Sequence, residues 1–454
     1  MHTELINKYN VPVPRYTSYP PANYFEPFSN SRYLEAVEQS NRASDSALSF
    51  YLHIPFCRHL CHYCGCNSYP MARTEIVESY VKALHQEMEL ILPLLDKNRP
   101  IAQIHYGGGS PTAIPIALIK ELNDHLLSSF PVIDRPEIAI ECHPGYLSEA
   151  DWQQLTGCGF NRFSIGVQDF NTEVLKIVNR RPSLLPMEEI FALLREKGAS
   201  INLDLLYGLP KQTVDSFARS IEQAIALSPD RLVTFGYAHV PWVNKRQLIL
   251  EKSGLPDSRE KRAMFDTAAG LLHASGYQSI GMDHFVRPDD ELSLAMKNRQ
   301  LHRNFQGYCT RRTTAQVYAL GVTGISQLES AYAQNTKDIP HYIETMGRGE
   351  LCIAKGYALS PTEQLTREVI EALMCNECID WKALSERLHV SVSALKAATA
   401  YDEQKLSAFA HDGLIRYTDT YLEMTAEGSA FVRNVAASLD KLMLHTPHSY
   451  SKPL

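Results

Sequence analysis

The chain has 454 residues, 44% hydrophobic and 21% charged, with 44 Lys and Arg against 51 Asp and Glu for a formal net charge of −7. This suits a globular protein with one large domain and a smaller one, and it excludes nucleic acid or an anionic membrane as main partner, since either needs surplus cations. The start, MHTELINKYN, carries early charges and no apolar h-region, and no run approaches the roughly 18 apolar residues of a membrane span, so a cytoplasmic location is expected.

Residues 1–46 read as an N-terminal arm. After it, runs rich in β-branched and aromatic residues predict strands at 49–54, 101–106, 137–142, 162–167, 201–207 and 231–237, each followed by helical periodicity, and a seventh strand in YQSIGMDHF. Six βα units predict an α/β fold, a partial (β/α)6 TIM-like barrel over 47–355, whose ligands collect at the carboxyl ends of the strands. The distinctive motifs fall at those ends. The first strand runs into the Cys57 loop and the second into Gly107-Gly108-Gly109-Ser110-Pro111-Thr112. Glu141, Gln168 and Asp204 mark the next three, and Tyr237-Ala238-His239 ends the sixth. A smaller, mainly helical or winged-helix-like domain is expected over 356–454. It opens on the capping-box pattern Ser360-Pro361-Thr362-Glu363, and LIRYTDTYLEMT reads as a hairpin. Such modules often bind DNA, but no basic stripe supports that here.

Four of the ten cysteines lie within residues 57–66, a packing that reads as metal binding in a reducing compartment. Cys57, Cys61 and Cys64 are spaced C-x3-C-x2-C. Three thiolates hold three irons of a [4Fe–4S] cubane and leave the fourth iron open to S-adenosylmethionine (SAM), whose one-electron cleavage yields a hydrogen-abstracting radical. The competing reading is a structural zinc site completed by Cys66 or a nearby His. Gly107–Gly109 either let a ligand approach the backbone, offering N–H groups to an anion such as the SAM carboxylate, or form a tight turn. Glu141, Gln168, Arg180 and Asp204 suit contacts to ammonium, ribose and carboxylate groups, against the plainer reading of rim polarity. Cys375 and Cys378, placed in a predicted helix, read as packing, Cys309 is unassigned, and His53, His62, His105 and His239 carry no assigned chemistry.

The chain resembles the oxygen-independent coproporphyrinogen III oxidases of the radical SAM superfamily over nearly its whole length. The likeness is carried by PRYTSYP, YLHIPFCRHLCHYCGCN, HYGGGSPT, GVQDF, DLLYGLP, YAHVP, GMDHF, HRNFQGY and GVTGIS. It implies cluster ligation by Cys57, Cys61 and Cys64, with Cys66 near but not a ligand, and two SAM molecules in one site. The first would meet Tyr51, Gly108 and Glu141, with Ala238 and Ile325 also lining the site; the second would meet Tyr63, Gly109, Ser110, Gln168, Arg180 and Asp204. The implied reaction is oxidative decarboxylation of two propionates of coproporphyrinogen III to vinyls. It gives protoporphyrinogen IX, two CO2, two methionines and two 5′-deoxyadenosines. A separate electron donor and acceptor, a monomer, and an arm closing over the site are implied too. Arg15, Arg303 and Gln306 are the candidates for gripping the substrate carboxylates. Three features depart from the family: Ser110 stands for threonine and Tyr63 for phenylalanine, both keeping their character, and CTRRTTAQVYALG, at 309–321, is basic where an acidic stretch is expected, which leaves substrate identity open. The alternatives are a haem-binding chaperone and a haem-modifying radical SAM enzyme on the same scaffold.

Overall fold

Alternation along each strand sets the architecture of the computed structural model, which describes residues 3–42, 47–242, 244–310, 316–446, 448 and 450. Six strands, β1 (Leu48–Ile54), β2 (Ile101–Gly108), β3 (Val132–Cys142), β4 (Arg162–Gln168), β5 (Ser200–Tyr207) and β6 (Arg231–Gly236), pair in parallel and in chain order. Successive side chains point to opposite faces. One face holds Leu52, Ile54, Ile104, Ile140, Phe163, Ile165, Leu203 and Leu205, all buried. Helices Thr74–Ile91, Ile116–Ser129, Val214–Ala226 and Ser258–Ala274 contribute Leu84, Leu122, Phe217 and Ala268 to the same core. The other face carries the polar residues and faces a cavity.

The sheet continues past both ends of this series to thirteen strands. Beyond β1 lie Val317–Leu320, parallel to it, and then three antiparallel strands, Ile325–Gln327, Ala331–Asn335 and Ile353–Ala358. The bridge Glu26–Pro27 from the N-terminal arm forms that edge. Among the described residues no pairing closes the sheet, so the partial barrel is open. The expected seventh strand is instead a hairpin of two short strands, β7 (Gln278–Ile280) and β8 (His284–Val286), with β8 against β6. The chain reverses at Gly281, where φ is 59°, a conformation that breaks a strand and favours glycine.

Ser360 and Glu363 form the reciprocal capping box that starts the helix Pro361–Asn376. Further helices and a three-stranded sheet follow, in which Tyr421–Met424 pairs with both Ile415–Tyr417 and Cys378–Asp380. The expected hairpin is therefore present. Cys375 and Cys378 do not share a helix: Glu377, at φ 52°, ends it between them, Cys378 begins a strand, and both thiols are buried. The arm packs on this region. Tyr9, Tyr16, Tyr19 and Phe25 join its core, the Tyr16 hydroxyl donates to Asp440 at 2.9 Å, and Arg433 donates to the Pro14 carbonyl at 3.0 Å. The departing segment at 309–321 lies partly outside the described residues, which omit 311–315. No helix among the described residues is long and apolar enough to cross a membrane.

Candidate active site

Strand β1 ends at Ile54 and leads through Pro55 into the cysteine loop, which the chain ties down from several sides. Phe56–Cys57 pairs with Tyr69–Pro70, and Met71 N–H donates to the Cys57 carbonyl at 2.8 Å. Side chains of Asn179, Asn244 and Gln247 donate to the carbonyls of Leu60, Cys64 and Tyr63 at 3.0, 2.7 and 3.0 Å. A loop held by so many outside donors keeps its thiols in place without forming secondary structure of its own.

Cys57, Cys61, Cys64 and Cys66 all line one cavity of ≈ 660 Å³, within the usual range for small-molecule sites. Burial pushes the Cys57 thiol up to about 12, whereas a hydrogen bond with Cys66 pulls Cys64 down to about 6. The Arg180 guanidinium lies 3.6 Å from Cys61 Sγ, 3.1 Å from the Tyr63 hydroxyl, and also donates to the Gly166 carbonyl. Among the described residues no three His, Cys, Asp or Glu side chains converge as a single-ion site. A cubane asks for a different donor set, one thiolate on each of three irons, and three thiols on one loop beside a buried cation fit it.

The glycine run serves approach more than anion binding. Gly109 N–H and Ser110 N–H already donate to the Ile54 and Phe56 carbonyls at 2.9 and 3.0 Å, so these two are not free for a carboxylate. A Cβ on Gly109 would sit 2.6 Å from the Pro55 oxygen and 2.9 Å from Cys57 Sγ. Gly108 has φ 117°, and its missing Cβ makes room for the His53 ring. The glycines thus let the second strand end press against the cysteine loop.

Further along the wall, Glu141 Oε1 lies 3.1 Å from His105 Nε2. Asp204 accepts from Asn202 at 2.8 Å and from Ser164 at 3.0 Å, yet burial still raises its carboxyl above the ordinary range. Burial drives His143 down to about 2, which leaves a neutral ring accepting the Gly145 N–H. At the amino ends of the same strands is a charged floor. Arg162 Nε donates to Glu137 at 2.7 Å, as does Gln103, while Arg231 Nε donates to Asp290 at 2.9 Å and lies 3.9 Å from Glu137.

With that geometry in place, comparison with known proteins is direct. Residues 51–224 match the radical SAM superfamily and residues 359–431 match the HemN C-terminal domain. An oxygen-independent coproporphyrinogen III oxidase of Escherichia coli K12 is 40% identical over 441 residues, 96% of this chain and 94% of that protein. One from Helicobacter pylori is 37% identical over 99% of both chains. The solved E. coli coproporphyrinogen III oxidase (HemN), described as a radical SAM enzyme, superposes with a TM-score of 0.87 at 36% identity, covering 97% of this chain and 98% of that one. The chain belongs to the oxygen-independent coproporphyrinogen III oxidase family. Membership in the radical SAM superfamily implies a [4Fe–4S] cluster and SAM.

The structure gathers most of the residues that likeness to the oxygen-independent coproporphyrinogen III oxidases singles out. Cys57, Cys61, Cys64, Tyr63, Gly108, Gly109 and Ser110 line the cavity, as do Glu141, Gln168, Arg180, Asp204 and Ala238. Arg15, from the arm, and Gln306 line it too. Three residues do not. Tyr51 lies on the cavity-facing side of β1 beside the lining residues, in register with His105 and stacked on it at 6.0 Å, with its hydroxyl 3.1 Å from His53 Nδ1. Ile325 packs against the core shared by the arm and the C-terminal helices. Arg303 turns its guanidinium over the Tyr308 ring, 4.9 Å from the centroid, and Nη1 reaches the Arg15 carbonyl at 3.4 Å.

The sequence reading missed the floor and part of the wall. Gln103, Glu137, Arg162, Asn202 and Arg231 all line the cavity, and the signal was alternation. Counting by twos along the strands, Gln103 shares a face with His105, Glu137 with Glu141, Arg162 with Gln168, and Asn202 with Asp204.

Proposed function

We propose that this chain converts coproporphyrinogen III to protoporphyrinogen IX by oxidative decarboxylation of two propionates, with a [4Fe–4S] cluster on Cys57, Cys61 and Cys64 and two SAM molecules in the same cavity. The observation that carries the proposal is the cysteine loop opening into a ≈ 660 Å³ cavity lined by both cations and carboxylates. The names of full-length relatives support the substrate. When bound, the cluster and SAM supply one-electron reduction and hydrogen abstraction.

The protein's own residues bind, orient and exclude water. Arg180, between Cys61 and Tyr63, places a fixed positive charge beside the thiolates and beside any carboxylate presented there. Glu141 and Asp204 offer acceptors for ammonium and ribose hydroxyls, and Tyr63, Gly108, Gly109, Ser110, Gln168 and Ala238 shape the surrounding wall. Arg15 brings a guanidinium from the arm for substrate carboxylates, and Gln306 lines the same cavity. Tyr51 acts beside His105 and Arg303 through Tyr308, each next to a lining residue, while Ile325 packs against the core of the arm and C-terminal helices. The same reading divides the chain at 46/47 and 355/356 into arm, catalytic unit and C-terminal domain. It takes the enzyme as a cytoplasmic monomer served by a separate electron donor and acceptor. The test is anaerobic reconstitution with iron and sulfide, followed by dithionite, SAM and coproporphyrinogen III, with Cys61→Ala as control. Formation of 5′-deoxyadenosine together with protoporphyrinogen IX, absent in the control, is the expected result; SAM cleavage without turnover of the porphyrinogen would reject the substrate.

A further inference from the structure

The hairpin Leu301–Asn304 and Gly307–Thr310, together with β8, brings polar groups to the cavity that the proposed chemistry leaves unused. His284 and Asn304 both line it. His284 Nδ1 lies 2.7 Å from Asp283 Oδ1, and Asp283 is buried at 8% exposure. Burial works against the charge on Asp283, but the bond to His284 and the nearby Arg303 and Arg15 hold its carboxyl below the ordinary value. An ionised carboxylate only accepts, so Nδ1 carries the proton and Nε2 is left for another partner. No hydrogen bond joins Nε2 to any described residue; it lies 3.4 Å from where a Cβ on Gly307 would be, against a second cavity-lining residue. Tyr308 and Phe235 pack edge-on against the imidazole at 5.1 and 6.2 Å and hold its plane.

Asn304 supplies an independent observation. It is 2% exposed, and its Oδ1 accepts the backbone N–H groups of Gln306 at 2.9 Å and Gly307 at 3.2 Å. Those bonds fix the amide, and among the described residues Nδ2 has no partner. A buried donor left unpaired is unfavourable unless a ligand completes it.

We infer that His284 and Asn304 form a carboxylate subsite for one propionate of the tetrapyrrole, with Asp283 as the residue that positions His284. The inference rests on the proposed substrate and deepens it. With Nδ1–H committed to Asp283, a neutral ring offers only a lone pair at Nε2; the imidazolium offers an N–H. The subsite therefore works as a cation between two carboxylates, one from the protein and one from the ligand, with the Asn304 amide as second donor. The charged and titratable groups facing it include Asp283 itself, Arg303 and Tyr308 from the hairpin, Arg15 from the arm, and Asp204 and Tyr207 from β5.

Equilibrium binding to the reconstituted holoenzyme tests this, with coproporphyrin III and its uncharged tetra-amide as paired probes and protein fluorescence as readout. The wild type should prefer the acid. His284→Gln should weaken the acid about tenfold, the size of one charge-assisted hydrogen bond, and leave the amide unchanged. Asn304→Ala should weaken the acid about threefold, as for a neutral donor. Asp283→Asn removes the carboxylate that holds the His284 Nδ1–H, so it should weaken the acid and leave the amide unchanged, a discrimination that loosened packing would not produce. If the wild type prefers the acid and His284→Gln leaves the size of that preference unchanged, or weakens both probes equally, the subsite is wrong. If the wild type does not distinguish the probes, the substrate reading fails, and the subsite with it.

Discussion

Glu137→Gln removes the anion at the centre of the cavity floor. Glu137 accepts from Arg162 and Gln103, both at 2.7 Å, with Arg231 at 3.9 Å. Arg231 keeps Asp290 and Glu291 at 2.9 and 3.4 Å, so the group left stranded is Arg162, whose Nη1 already has no partner among the described residues. Breaking a buried pair from one side costs about 3–5 kcal/mol. The titration of Glu137 points to a similar size. Burial opposes its charge, yet Arg162 and Arg231 outweigh burial and bring the carboxyl from 4.5 down to about 2, a difference worth on the order of 3 kcal/mol. A depressed carboxyl stabilises the fold above its unfolded value, and that stability is lost as pH falls from about 4.5 through about 2. Urea unfolding followed by circular dichroism should therefore show the wild type losing stability across that window, with Glu137→Gln already lower at pH 7 and flatter below it. Glu137→Gln combined with Arg162→Met removes both charges and should recover part of the loss. A single variant within about 0.5 kcal/mol of wild type, the range of an ordinary surface substitution, or a double variant worse than the single, would refute the reasoning.

Gly109→Ala should overpack the junction with Pro55 and Cys57 by about 1–3 kcal/mol, and iron and acid-labile sulfide per chain should fall while circular dichroism is retained. Arg180→Lys cannot span Cys61, Tyr63 and the Gly166 carbonyl together; KM for SAM should rise about tenfold, as for a lost charged hydrogen bond. Cys375→Ala with Cys378→Ala removes two buried thiols that share no element and should leave iron content unchanged, at a stability cost of about 1–2 kcal/mol from the small cavities.

The cysteine loop was legible because a spacing of three and two on one short loop is local information, and the strands β1 to β6 because alternation is local too. The floor was not. Glu137, Arg162 and Arg231 each open a predicted strand, where a charged residue reads as a boundary, and only the pairing of β3, β4 and β6 in one curved sheet puts them together. Asp283 and His284 were hidden for a related reason: the positive φ of Gly281 turns one apparent strand into a hairpin and carries the pair to the cavity. Arg303 was picked for its charge, but the direction of its side chain depends on Tyr308, a neighbour across the hairpin. The glycine run showed the converse limit, since its free N–H groups looked available until the carbonyls of Ile54 and Phe56 were placed against them.

Loss of CO2 to a vinyl requires hydrogen abstraction from the propionate carbon next to the ring, so the proposed reaction places that carbon in this cavity. Coproporphyrinogen III deuterated at those carbons tests it most directly. Deuterium should appear in the 5′-deoxyadenosine, with two deoxyadenosines for every protoporphyrinogen IX formed; unlabelled deoxyadenosine, or vinyl product without any, would overturn the proposed reaction.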